Sequence, residues 1–374
     1  MKKILIIIGT RPEAIKMAPV IIELKKYHQY FETRLCITAQ HREMLDQALL
    51  LFGIIPDIDL NLMETNQSLP NLTRRILIKL PQVFEAEKPD VLLVQGDTTT
   101  VMAASLAAFY QRLPVGHIEA GLRTKDCYSP FPEEMNRRLT SVLASYHFAP
   151  TERAKQSLLT EGVPEDLIFV TGNTVIDALH LILKKPQPNK VENILKSADL
   201  SSNKKKLILV TAHRRENFGQ PFKEICNGLV ALAKRNQDIS ILYPVHLNPN
   251  IREPAFSILQ DVKGIHLIDA VEYDVMAHLM KKSYFIITDS GGIQEEAPWL
   301  GKPVLILRNK TERQEAVEAG VAKIIGPRAD AIILEGEKLL RNRDEYSNMA
   351  KKISLYGDGK AAERIIKALL EKCS

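Results

Sequence analysis

The residues with chemistry to offer fall into two groups, one acidic and one cationic. Asp97 stands in Gln95-Gly96-Asp97-Thr98-Thr99-Thr100, Glu119 opens Glu119-Ala120-Gly121-Leu122-Arg123-Thr124, and Glu133-Glu134 follows Pro130-Phe131-Pro132. Each has a structural reading of its own: Asp97 suits a helix N-cap, and Glu133 suits a first helical turn, where the dipole favours an acid. Three such positions together with His213 and several arginines favour general acid–base work. The cations are Arg11 and Lys16 around a helix start at Pro12, the run His213-Arg214-Arg215, and Arg313. Arg11, directly beyond a strand, is placed for a ligand anion; Lys16 reads equally as surface, and at least one of Arg214 and Arg215 reads as structural. Ser290-Gly291-Gly292 between a strand and a helix offers unhindered backbone N–H groups, a helix dipole and a hydroxyl to a diphosphate. The competing reading is a tight turn capped by Asp289 or Ser290. Glu296, one helical turn further on, is suited to accept from ribose hydroxyls.

These residues need a scaffold that brings loop ends together. Short runs rich in Ile and Val alternate with longer amphipathic stretches, the pattern of strands buried on both faces of a parallel sheet and joined by crossover helices. Strands are expected at 3–8, 34–38, 91–94, 115–118, 147–149 and 168–170, and again at 207–211, 240–243, 265–267, 285–288 and 304–307. The fold class is therefore α/β, with two Rossmann-like parallel-sheet domains facing across a cleft. Nearly every strand is followed by polar residues, and ligands of open parallel sheets bind beyond those carboxyl ends. Gly357-Asp358-Gly359-Lys360-Ala361-Ala362 formally matches a dinucleotide fingerprint, but no strand precedes it, so it reads as a helix entry.

Length agrees with two domains, since 374 residues exceed what one core supports. Composition, 45% hydrophobic and 25% charged, excludes a disordered or collagen-like chain. The net charge of +5 is concentrated in the second half, with seven lysines between 184 and 206. No aromatic residues interleave with them, so they read as a solvated connector and nucleic acid is not an expected partner. Cys36, Cys127, Cys226 and Cys373 are scattered without metal-ligand spacing and read as free thiols. The apolar run at 4–8 is too short for a signal peptide, and no stretch reaches the roughly 18 apolar residues of a membrane span. A cytoplasmic location is expected.

At these residues the chain resembles a known family. Gly9-Thr-Arg-Pro-Glu-Ala-Ile-Lys16, Thr38-Ala-Gln-His-Arg42, Gly96-Asp-Thr-Thr-Thr100, His117-Ile-Glu-Ala-Gly-Leu-Arg123, Pro132-Glu-Glu134, Thr171-Gly-Asn-Thr-Val-Ile-Asp177, His213-Arg-Arg-Glu216, His246-Leu-Asn248, Asp289-Ser-Gly-Gly-Ile-Gln-Glu-Glu-Ala-Pro298 and Tyr356-Gly-Asp-Gly359 are similar to motifs of the non-hydrolysing UDP-N-acetylglucosamine 2-epimerases, in the same order. The resemblance implies a GT-B architecture. It places an N-terminal domain at 1–172 with a returning C-terminal helix at 357–374, and a UDP-binding domain at 173–356. It also implies reversible conversion of UDP-GlcNAc to UDP-ManNAc without NAD, other cofactor or metal, supplying ManNAc-type sugars for surface polysaccharide. Asp97, Glu119, Glu133 and His213 become the catalytic candidates, in an order the sequence does not assign. Arg11, Lys16, Ser290, Gly291, Gly292, Glu296 and Arg313 become substrate-binding candidates. A homodimer is expected.

The family's activating site, for a second UDP-GlcNAc, is matched by Gln40, Arg75, Glu133 and His246, whereas Glu43 stands where some members have Gln. Val271 and Met276 stand where a Gln and a Phe are common near the uracil, and Gln314 replaces a Pro. Within the same resemblance, a hydrolysing enzyme releasing ManNAc and UDP, or an epimerase of a modified UDP-sugar, is the alternative. A GT-B glycosyltransferase would need an acceptor and would leave UDP-GlcNAc unepimerised without one, and a UDP-sugar sensor would have no use for all three carboxylates.

Overall fold

The computed structural model describes residues 1–38, 42–62, 64, 67–198, 200 and 205–373. The chain divides into two compact units, Met1–Leu181 with Tyr356–Ser374, and Ile182–Leu355. The helix Thr174–Leu183, which the sequence reading gave to the second domain, thus lies mostly in the first.

The first unit holds strands β1 (Lys2–Ile8), β2 (Phe31–Ile37), β3 (Ile58–Asp59), β4 (Val91–Gln95), β5 (Val115–Ile118), β6 (Tyr146–Ala149) and β7 (Ile168–Val170). They form one parallel sheet in the order β3-β2-β1-β4-β5-β6-β7. The second holds β8 (Lys206–Thr211), β9 (Ile239–Val245), β10 (Ile265–Asp269), β11 (Phe285–Thr288), β12 (Val304–Ile306) and β13 (Ala322–Ile324). Its parallel sheet runs β10-β9-β8-β11-β12-β13. Central strands read as unbroken apolar runs because helices cover both faces; Ile4 to Ile8 of β1 are all buried. The edge strands β3 and β13 have two and three residues and each contains a charged one, Asp59 and Lys323, and the sequence reading missed both.

In each sheet the strand order reverses once, at β1/β4 and at β8/β11. Loops leaving two adjacent strands there diverge to opposite faces, which opens a crevice at the carboxyl ends.

Two expectations about connections need adjustment. The lysine-rich stretch 184–206 is not only a connector: Asn189–Ser197 is a helix with Val191 buried beneath it, and Lys190 pairs with Glu272 at 2.7 Å. Gly357 to Ala362 does lead into a helix, Ala361–Cys373, whose first N–H groups at Ala361 and Ala362 are taken by Asp177 at 3.2 and 2.9 Å. That helix packs on Arg11–Lys26.

Candidate active site

In the first unit the switch point is built by β1, β4 and β5. A Cβ on Gly9 would stand 2.5 Å from Thr100 Oγ1 and 2.9 Å from Thr38 Oγ1, so only glycine lets β1 turn into its helix so close to β4. Thr10 stands at the N-cap of that helix, and its N–H is taken by the Glu13 side chain, one half of a capping box. Glu13 is buried and accepts from the N–H groups of Gly9 and Thr10 (2.5 and 3.0 Å) and from the Thr98 hydroxyl (2.5 Å). It thereby ties the end of β1 to the loop after β4, and burial pushes its pKa up to about 7.

One turn further, buried Lys16 forms an ion pair with Glu119, whose same oxygen accepts from Gln95 Nε2 at 2.6 Å. Glu119 leaves β5 with φ of +68°, a left-handed conformation that costs a non-glycine residue about 1 kcal/mol or more. Lys16 and Gln95 hold the carboxylate there.

Asp97 is gripped through its backbone and its side chain. His117 Nε2–H donates to the Gly96 carbonyl at 2.8 Å, Asn136 Nδ2 donates to the Asp97 carbonyl at 2.9 Å, and Arg137 Nε donates to Asp97 Oδ2 at 2.9 Å. The cap of the following helix is Thr98, not Asp97. Burial lowers His117 and its cross-strand neighbour His147 to about 4, so both are neutral near pH 7. Arg137 also donates to Glu134 Oε2 at 2.8 Å, and the fully buried Glu134 accepts from Thr124 N–H at 3.1 Å as well. Of the adjacent acids, Glu134 is bound into the scaffold, whereas Glu133 opens the helix Glu133–Leu143 and is partly exposed.

In the second unit the switch point lies between β8 and β11, locked by Thr211 and Thr288 hydroxyls 2.6 Å apart. Ser290 caps the helix Gly291–Trp299 by position but not through its side chain, so the hydroxyl and the first helical N–H groups retain their capacity to meet an anion. A Cβ on Gly291 would stand 2.9 Å from Arg313 Cζ, which shows how closely that guanidinium lies against the helix start. Arg313 is 5% exposed, donates to Glu295 at 2.9 Å and pairs with Glu312. Arg308 shares Glu312 at 3.0 Å and reaches Glu216 at 2.6 Å. Glu296 is buried and accepts from the Tyr273 hydroxyl at 2.5 Å. His213 stacks on His246, with ring centroids 5.5 Å apart.

A family model described as UDP-N-acetylglucosamine 2-epimerase matches residues 23–370. The chain is 54% identical over 373 residues to the UDP-N-acetylglucosamine 2-epimerase of Escherichia coli strain K12, covering 98% of each. The chain belongs to this family. The structure of UDP-GlcNAc 2-epimerase from Neisseria meningitidis bound to UDP-GlcNAc is 53% identical, with a TM-score of 0.95 over 99% of this chain and 100% of that one. The Methanocaldococcus jannaschii UDP-GlcNAc 2-epimerase, in complex with UDP-GlcNAc and UDP, is 35% identical, with a TM-score of 0.87 over 99% of each chain.

Within this epimerase the sequence-selected residues distribute as follows. Lys16, Asp97, Glu119 and Glu133 gather at the first unit's strand ends, with Arg11 at the start of the first helix. His213, His246, Ser290, Gly291, Gly292, Glu296 and Arg313 lie in the second unit. Arg75 pairs with Glu64 at 2.5 Å in the first unit, and Gln40 lies outside the described residues. Sequence reasoning passed over Glu13, Gln95, Asn136, Arg137 and Tyr273, and offered Asp289 only as a cap. The one local signal was a buried type in an unusual place, such as Gln95 ending an apolar strand.

Proposed function

We propose that the chain interconverts UDP-GlcNAc and UDP-ManNAc without net hydrolysis, by elimination of UDP and re-addition. The observation that carries this reading is the pair of carboxylates, Asp97 and Glu119, fixed at the ends of the neighbouring strands β4 and β5 by Arg137 and by Lys16 with Gln95. A binding protein has no need of acids held so firmly among cations.

The chemistry requires both. The C2 proton has no adjacent carbonyl to acidify it. As the C1–O bond breaks, its electron pair leaves with the diphosphate and C1 gains oxocarbenium character, which makes the C2–H bond removable. The proton passes to a carboxylate, the C1=C2 bond forms, and the products are 2-acetamidoglucal and UDP. Protonation at C2 from the opposite face, with return of the phosphate oxygen to C1, gives the epimer. In this reading the Ser290-Gly291-Gly292 helix start and Arg313 meet the diphosphate charge, Glu296 meets the ribose, and Arg11 is a further candidate for binding an anion. Asp97, Glu119 and Glu133 are the proton-transfer candidates.

The test is incubation of the purified protein with UDP-GlcNAc in deuterium oxide, followed by proton NMR. The expected outcome is UDP-ManNAc together with deuterium at C2 of both nucleotide sugars; product with fully retained C2 protium rules out elimination. Free ManNAc accumulating with UDP would assign the hydrolysing alternative. The same assay tests activation by a second UDP-GlcNAc, for which Arg75, Glu133 and His246 are the proposed residues, through a sigmoidal dependence of rate on substrate.

A homodimer is part of the proposal. The helix Glu133–Leu143 is inverted: Glu134, Asn136, Arg137, Thr140 and Ser141 are buried while Met135, Leu139 and Val142 face outward. Exposed Phe109 and Tyr110 end the adjoining helix, extending an apolar surface that a second copy can cover by two-fold symmetry. Sedimentation is expected to give twice the 42.1 kDa chain mass, and a dimer that survives Val142→Glu with Leu139→Glu would exclude this face.

A further inference from the structure

Asp289 directly follows β11 at the second unit's switch point and is fully buried. Its Oδ2 accepts from three donors: His213 N–H and Arg214 N–H, each at 2.8 Å, and Asn217 Nδ2 at 3.0 Å. Asn217 is itself buried and also donates to the Leu307 carbonyl at 3.1 Å, so the carboxylate is anchored on one side. Its other oxygen, Oδ1, has no hydrogen bond among the described residues and faces His213 Nδ1 at 3.4 Å. A buried carboxylate oxygen without a donor is costly. The only N–H its immediate neighbour can offer is that of Nδ1. Catalytic hydrogen bonds of this kind are often long until substrate is bound.

We propose that Asp289 is a positioning residue for His213, holding the imidazole with a proton on Nδ1 and presenting Nε2, on the ring's open side, as the proton-transfer atom. The inference rests on the function proposed above and deepens it. His213 keeps about a third of its side chain exposed, 36%, whereas Asp289 has none, so the pair has one sealed end and one open end. Burial lowers the His213 pKa, Asp289 opposes that shift, and Arg214 and His246 reinforce it. A carboxylate behind the ring therefore makes the imidazolium accessible when Nε2 takes a proton. In the reaction, Nε2 first takes a proton from solvent, giving the imidazolium that Asp289 stabilises; that proton passes to the diphosphate oxygen as its bond to C1 breaks, which restores the Nδ1–H tautomer, and it returns to Nε2 on re-addition, leaving no net proton change. The same division of labour, an acid that orients and a histidine that transfers, operates in hydrolytic triads.

The test uses the full chain labelled with nitrogen-15 histidine, and long-range proton–nitrogen NMR, with His213→Asn identifying the His213 signals. The wild-type protein above the His213 pKa is expected to show a protonated Nδ1 and a bare Nε2. In Asp289→Asn the amide oxygen can still accept from the three N–H donors while its NH2 faces Nδ1, which forces the proton to Nε2. That variant is expected to show the reversed tautomer, a fall in kcat of about a hundredfold or more, and UDP affinity within about threefold of wild type, because the anion-binding helix start is untouched. A wild-type spectrum with the proton on Nε2 overturns the proposal whether or not the variant folds, as does an Asp289→Asn protein with unchanged tautomer and turnover. Normal turnover by His213→Asn likewise overturns it, since Nε2 would then transfer no proton, while the elimination mechanism itself is judged separately by deuterium at C2.

Discussion

Asp97→Asn, Glu119→Gln and Glu133→Gln are each expected to lower turnover about a hundredfold or more, with UDP binding near wild type. The amides nearly preserve shape, so what they remove is the ability to take a proton. At Glu119 the variant keeps an acceptor for Gln95 Nε2 but leaves Lys16 facing a neutral group. At Asp97 the backbone grip from His117 and Asn136 stays in place, and only the partner of Arg137 loses its charge. Glu134→Gln is the internal control. That residue is fully buried between Arg137, Arg138 and the Thr124 N–H, so its substitution is expected to appear as lost stability in preference to a specific loss of chemistry. Steady-state rates and UDP titration of the four variants check this. Near-normal rates in all three catalytic candidates would mean that the carboxylates serve the scaffold alone.

Arg313→Met is expected to destabilise the second unit by about 3–5 kcal/mol, the usual cost of stripping one partner from a buried ion pair. Glu295 and Glu312 have side chains 0% and 1% exposed, and both bond to this guanidinium. Removing it takes a cationic partner from each of two acids that water scarcely reaches, while Glu312 keeps Arg308. Trp299, the chain's single tryptophan, closes the helix that carries Glu295 and makes the loss readable as a lower urea midpoint in fluorescence. Adding Glu295→Leu is expected to recover part of the loss, since neighbouring substitutions in one network do not add. An unchanged midpoint in Arg313→Met would show that the cluster is solvated in solution. Because Arg313 also lies against Gly291, the variant is expected to bind UDP more weakly, which links the stability of the cluster to its proposed work on the diphosphate.

The sequence by itself determined the α/β class, eleven of the strands and the polar content of the loops that follow them. It could do so because these are local properties: buried parallel strands need uninterrupted apolar runs, and helix starts need caps, glycines and prolines within a few residues. The edge strands Ile58–Asp59 and Ala322–Ile324 escaped because Asp59 and Lys323 interrupt runs that are already short. The helix Asn189–Ser197 escaped because its single buried side chain, Val191, is outnumbered by lysines and asparagine. Pairing was decided only by the tertiary structure. Lys16 meets Glu119 across 103 residues, Asp289 meets His213 across 76, and Asp177 caps a helix 184 residues further along the chain. Motif spacing brought forward Lys16, Asp97, Glu119 and His213 as chemistry, yet it was silent on Arg137, Gln95 and Tyr273, which hold such groups in place, and on what Asp289 does. A buried polar side chain is tolerated only where a partner satisfies it, and for Lys16 and Asp289 that partner comes from an element that the sheet order sets alongside, far away in sequence.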